Sequence, residues 1–197
     1  MSWKTKNHKH FSKLVQLARR LVYYLLSQNC YESTYLKCNQ PILAMGEGKI
    51  ILEHNVSIGF LYSPSFFNSV CYLEARYKNS KIKIGANTHI NNGFTAIAEN
   101  KSIIIGSMCL IGPNVNIFNS DFHPVHPGSR RIKEPVISED IIIGDNVFIG
   151  ANVTILKGVK IGSGATIAAG AIVCKDVGQD TLVGGNPAQV LKLLRLN

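Results

Sequence analysis

The 197-residue chain has no acidic residue before Glu32, no Cys-x-x-Cys pair and no Gly-x-Ser-x-Gly. It also has no apolar run of the roughly 18–20 residues that span a bilayer. Each absence removes a class. The five cysteines, Cys30, Cys38, Cys71, Cys109 and Cys174, are odd in number and scattered. That pattern reads as reduced thiols of a cytoplasmic protein and not as a disulfide frame or a zinc site. Without a nucleophile elbow or a Cys-His arrangement, an acyl-enzyme is disfavoured. Charged residues are only 17% and hydrophobic residues 46%, a globular composition that one domain of this length can bury.

The net charge of +9 raises the possibility of nucleic acid, but its distribution argues against that partner. Lys4, Lys6, Lys9, Lys13, Arg19 and Arg20 precede the first acid and carry six of the nine excess charges. The remaining body is mildly basic and suits an anionic small ligand. Within the basic N-terminus, Phe11, Leu14, Val15, Ala18, Leu21, Val22 and Leu25 recur at helical spacing. Arg19 and Arg20 inside the stretch, and the lack of a clean small-residue cleavage site, argue against a signal peptide. Two readings remain for this amphipathic helix: packing on its own protein, or peripheral contact with an anionic membrane, such as the inner membrane face.

What is there is a repeat of six. "IGDNVF" from Ile143, "IGANVT" from Ile149, "ILKGVK" from Ile155, "IGSGAT" from Ile161, "IAAGAI" from Ile167 and "VCKDVG" from Val173 run without a phase slip. Upstream copies start at Ile84, Ile90, Ile105 and Ile111, and weaker ones at Leu52 and Ile58. A period of six fits alternating strand residues and fits no helix. Short strands joined by tight turns give an all-β solenoid, one hexapeptide per face of a triangular prism. Position one points inward. Position five is small or β-branched, with the aromatic exceptions Tyr62 and Phe94, because it also crowds the interior, and Cys109 and Cys174 read as core filler.

The phase breaks between Ile117 and Ile143, which are 26 residues apart, and again between Ile58 and Ile84; a smaller break follows residue 95. The first break extrudes a loop of about residues 118–142 carrying "NSDFHPVHPGSRR". Loops on a rigid solenoid are where sites are built. Three segments are expected: 1–40, the basic helix and a linker; 41–178, the solenoid; 179–197, a tail ending in a short helix.

These hexapeptides, the His-Pro loop and the tail "GGNPAQVLKLLRLN" resemble the left-handed parallel β-helix acyltransferases over residues 50–190. The galactoside, maltose and polysaccharide O-acetyltransferases are the nearest in kind. The left hand is implied by that resemblance alone and is an exception to the usual right-handed crossover. The resemblance implies an acetyl-CoA-dependent acetyltransferase, a homotrimer with intersubunit sites, and a sugar hydroxyl as acceptor in surface polysaccharide synthesis. It also implies His123 as general base, a role that suits a group titrating near neutrality.

Other site residues follow. Asp121 lies two before His123, so on an extended chain both face one way and the carboxylate can orient the imidazole; its alternative is a turn aspartate. His126 is a second polar residue near the site. Arg130, with Arg131, meets an acidic acceptor or forms a solvated loop end. Asn92 matches the asparagine that contacts the acceptor sugar, or is a turn residue in its Asn-Asn-Gly corner. Phe148 stands where several relatives carry tryptophan in "NVWIG", which keeps an apolar wall and removes an indole N–H. For the donor, backbone groups near Gly150 and Ala168 meet pantetheine, while Lys175, Gly185, Pro187, Lys192 and Arg195 lie in or beside the family's nucleotide-binding segments. A glutamine, Gln189, stands where a basic residue is common. Rival readings are an N-acetyltransferase acting on a nucleotide-linked amino sugar, a γ-carbonic-anhydrase-like metalloenzyme using His89, His123 and His126, and a non-catalytic solenoid.

Overall fold

The computed structural model describes residues 3–131 and 136–194. Among these residues an N-terminal helix, α1 (Trp3–Leu26), precedes twenty short strands. These fall into three sheets, and each strand pairs with the third one along the chain until Thr166–Ile167, which pairs with Thr181–Gly184 two strands on. The pairing is parallel until the last strand. Three strands therefore make one triangular coil, and the coils stack about 4.8 Å apart.

The repeat explains the packing. On the first face Ile84, Ile105, Ile143 and Ile161 pair in sequence from coil to coil. On the second face the column is Ile58, Ile90, Ile111, Ile149, Ile167 and Val183. Ile117, Ile155 and Val173 form the column of the third face. All of these side chains are buried. Position five fills the interior near the corners: Val147, Val153, Val159, Ala165 and Ala171 are buried. Position four carries the turn. Asn87, Asn114, Asn146 and Asn152 occupy it with φ of 58°, 57°, 54° and 57°. That left-handed region is costly for most side chains but accessible to asparagine.

Four expectations need correction. The solenoid begins at Tyr31 and not at 41, because Tyr31–Ser33 and Leu36–Cys38 already pair with the next coil. The tail has no helix among its described residues. Thr181–Gly184 continues the second face, the chain turns at Gly185 with φ of 99°, and Gln189–Leu193 returns antiparallel along it. An open sheet edge supplies hydrogen-bond partners at once, whereas a helix this short bears the full cost of nucleation. Cys109 is buried as expected, but Cys174 is exposed at a corner. Helix α1 exists, yet it docks through its polar side. Ser12 and Gln16 are buried while Phe11, Leu14, Leu21 and Leu25 are exposed.

The two large phase breaks are loops 59–70 and 119–140. The first supports α1: Gln16 donates to the Phe66 carbonyl, Arg19 to those of Phe66 and Ser69, and Arg20 to that of Cys38 in the coil beneath. The second leaves the edge between the third and first faces and holds the His-Pro sequence.

Candidate active site

The base of loop 119–140 is pinned to the solenoid. Asn119 is fully buried; its N–H donates to Ile97 and its side-chain oxygen accepts the Glu99 N–H at 2.7 Å. The Asn119 carbonyl accepts the Glu139 N–H, which closes the loop's neck. Ser120 Oγ then accepts the Phe122 N–H at 3.0 Å, and Phe122 adopts φ of 59°. This single left-handed residue turns the Phe122 ring inward onto Phe118, with centroids 5.8 Å apart. His123, the next residue, is exposed.

The turn overturns the expected geometry of Asp121. Because Phe122 breaks the extended alternation, Asp121 and His123 meet through the main chain, His123 N–H to Asp121 carbonyl at 2.7 Å. The carboxylate's partner among the described residues is Lys157, at 2.7 Å and about three-quarters shielded from solvent. Lys157 was not singled out by sequence, although the register contains it. Ile117 pairs with Ile155 and Ile155 with Val173, so Asn119, Lys157 and Lys175 stack on successive coils of one edge. The predicted Lys175 therefore lies on the edge that carries His123, and it is exposed. Residues 125–130 bond among themselves: His126 Nδ1 accepts the Gly128 N–H at 3.2 Å, and Arg130 donates to the Val125 carbonyl at 3.4 Å.

Beside the loop sits a polar cluster that sequence reading also missed. Arg76 binds Glu74 at 2.7 Å and Glu99 at 3.4 Å, and its guanidinium lies 4.9 Å from the Phe122 ring centre. Tyr72 donates to Glu74 at 2.8 Å. Burial opposes the Glu74 charge, yet the hydrogen bonds from Arg76 and Tyr72 outweigh it and hold this carboxyl below its ordinary range. Burial, then the bond to Glu74, pushes the Tyr72 phenol up to about 12. Tyr72 and Glu74 face outward on the strand Cys71–Ala75 and Arg76 directly follows it, but only the coil register reveals that they flank the loop.

Asn92 is not free to contact an acceptor. It is fully buried, its amide donates to the carbonyls of Phe60, Ser63 and Pro64, and its oxygen accepts the Phe60 N–H. Loop 59–70 presents carbonyls that need donors, and Asn92 supplies them. Phe148 is half exposed on the second face, in an outward column with Ser57, His89 and Leu110. This column lines a shallow groove of about 340 Å³. Gly150 and Ala168 follow it at the corner of the second and third faces. Their N–H groups donate to Ile167 and Val183, both at 2.8 Å, so the solenoid itself consumes these donors. Gly150 fits by necessity: a Cβ there would lie 2.6 Å from the Ala169 nitrogen. Gly185 and Pro187 form the turn into the return strand, Lys192 is exposed on that strand, and Arg195 lies outside the described residues.

The candidate residues thus fall on different sides of the chain. His123, Asp121, His126, Arg130 and Lys175 belong to the edge between the third and first faces, opposite the Phe148 groove on the second face. His89 lies with Phe148 and apart from His123 and His126. Among the described residues, no three His, Cys, Asp or Glu side chains gather to hold a metal ion.

Comparison with known proteins agrees with this architecture. The family description "Bacterial transferase hexapeptide (six repeats)" matches residues 140–175. A structure of the polySia-specific acetyltransferase NeuO is 31% identical over 82% of this chain and 74% of its own, with a TM-score of 0.58. The chain belongs to the hexapeptide-repeat acyltransferases. Within this family, the structure of the polysialic acid O-acetyltransferase OatWY is 29% identical over 82% of this chain and 72% of its own, with a TM-score of 0.63. A curated polysialic acid O-acetyltransferase of Escherichia coli O1:K1 / APEC is 40% identical over 117 residues, 58% of this chain. The chain spans 37% of that relative's length. The solenoid is accordingly the left-handed parallel β-helix of the hexapeptide-repeat acyltransferases.

Proposed function

We propose that this hexapeptide-repeat acyltransferase moves an acetyl group from acetyl-CoA to a hydroxyl of a saccharide, in the synthesis of a surface polysaccharide. The observation that carries the reading is the pinned loop: it presents His123 to solvent on the edge where Lys157 and Lys175 stack on successive coils. The exposed Lys175 suits the phosphates of a CoA nucleotide, and an exposed imidazole suits proton transfer near neutral pH. The two polysialic acid relatives support an O-linked saccharide acceptor.

The reaction is direct transfer. His123 takes the proton of the acceptor hydroxyl as its oxygen attacks the thioester carbonyl. A backbone N–H steadies the oxyanion. The C–S bond then breaks, the C–O bond remains, and the proton passes from His123 to the CoA thiolate. Holding both substrates in one groove supplies much of the rate. The working unit is a homotrimer. The edge bearing His123 and the groove bearing Phe148 lie on opposite sides of a protomer, so a site that uses both combines two chains.

The test is CoA release from acetyl-CoA, read with a thiol reagent across sugars and nucleotide-linked amino sugars. Acceptor-dependent release is expected with a sugar hydroxyl, and His123→Ala lowers it by about 10² or more. Equal rates in the two proteins remove His123 from the mechanism. Release only with amino sugars replaces O-transfer by N-transfer.

A further inference from the structure

We propose that α1 lays its outward apolar face on an anionic phospholipid surface. The inference does not depend on the acetyltransferase reading. Its first support is orientation. The polar side of α1 is committed to the body, because Gln16, Arg19 and Arg20 donate to main-chain carbonyls of loop 59–70 and of the coil beneath. The helix cannot turn its leucines inward without leaving those acceptors unpaired.

The second support is the width and extent of the face. Leu14, Leu17, Leu21 and Leu25 are 64%, 56%, 60% and 72% exposed. With the neighbouring apolar residues of α1 they cover roughly 200° of the helix at 3.6 residues per turn. That is broader than the two-position seam of a coiled coil. The exposed rings of Phe60 and Tyr62 extend the patch onto loop 59–70.

Charge decides the occupant. The first 31 residues contain no acid, and four lysines besides the body-bound Arg19 and Arg20. Lys9 lies 6.0 Å from the Tyr62 ring centre, and Lys13 is exposed beside the patch. A second copy brings the same basic segment to the contact and repels it. An anionic leaflet compensates it, while acyl chains receive the leucines.

The experiment is flotation of the full-length protein with vesicles of phosphatidylcholine alone, or of phosphatidylcholine mixed with phosphatidylglycerol. The expected result is binding to the mixed vesicles at low salt, at least about tenfold weaker on the neutral ones and released by raised salt. Leu14→Glu with Leu21→Glu abolishes binding with an unchanged circular dichroism spectrum, and Lys9→Glu with Lys13→Glu weakens it. Wild-type protein that stays with the soluble fraction at low salt overturns the proposal, as does a leucine variant that still floats. A leucine variant that loses subunits in sedimentation also overturns it, by assigning the face to contact between copies.

Discussion

Asp121 illustrates how one dihedral angle redistributes roles. With Phe122 left-handed, the carboxylate turns to Lys157 and holds the neck of the His123 loop to the next coil. In the proposed mechanism this makes it a positioning residue. Asp121→Asn and Lys157→Met are therefore expected to lower transfer by similar factors, and the double variant to be no worse than either. Losses that multiply in the double-mutant cycle show two separate functions. Asn92 leads to the opposite kind of outcome. Asn92→Ala strips partners from buried backbone groups and is expected to cost about 1–3 kcal/mol in urea unfolding. An acceptor ligand, by contrast, raises the acceptor KM with stability unchanged. Glu74 carries a pH dependence. Its folded pKa lies below the ordinary carboxyl value of 4.5, so its stabilising effect is complete above that pH and is lost as pH falls from there through the folded value. The thermal midpoint is expected to drop below about pH 4.5, and Glu74→Gln to flatten that drop.

At the scale of the element, the hexapeptide divides labour between an inward aliphatic residue and a left-handed corner. Asn146, with φ of 54°, tests the corner. Asn146→Gly is expected to be near neutral, and Asn146→Val to cost about 1–2 kcal/mol by calorimetry, because a branched Cβ strains that region. Ile143, 1% exposed in the column, tests the core. Ile143→Ala removes packing on both adjacent coils and is expected to cost about 2–5 kcal/mol in urea unfolding. The return strand at the C-terminus shows where element prediction meets its limit. "QVLKLLRLN" has helix-forming residues, but a vacant sheet edge beside it offers bonds that outweigh propensity.

For the whole molecule, the separation of the His123 edge from the Phe148 groove makes assembly testable. Sedimentation is expected to return the mass of three chains. Co-refolding of His123→Ala with Phe148→Asp is expected to restore part of the activity that each lacks, because a mixed trimer contains interfaces with an intact loop facing an intact groove. Subunit mixing without recovered activity places the whole site in one protomer.

The solenoid was legible in the sequence because its code is local: a six-residue phase sets which side chains face inward, and each coil repeats the decision. The extruded loop was legible for the same reason, as an interruption of that phase. The partners of the site were not. Lys157 meets Asp121 across 36 residues, and Asn92 meets Phe60 across 32. Such contacts depend on which coils stack and where a loop folds back, and no periodicity records them. The helix makes the same point. Its spacing determined that it would be amphipathic, but the direction of its apolar face was decided by carbonyls of a loop some fifty residues away, which took the polar side and left the leucines outward.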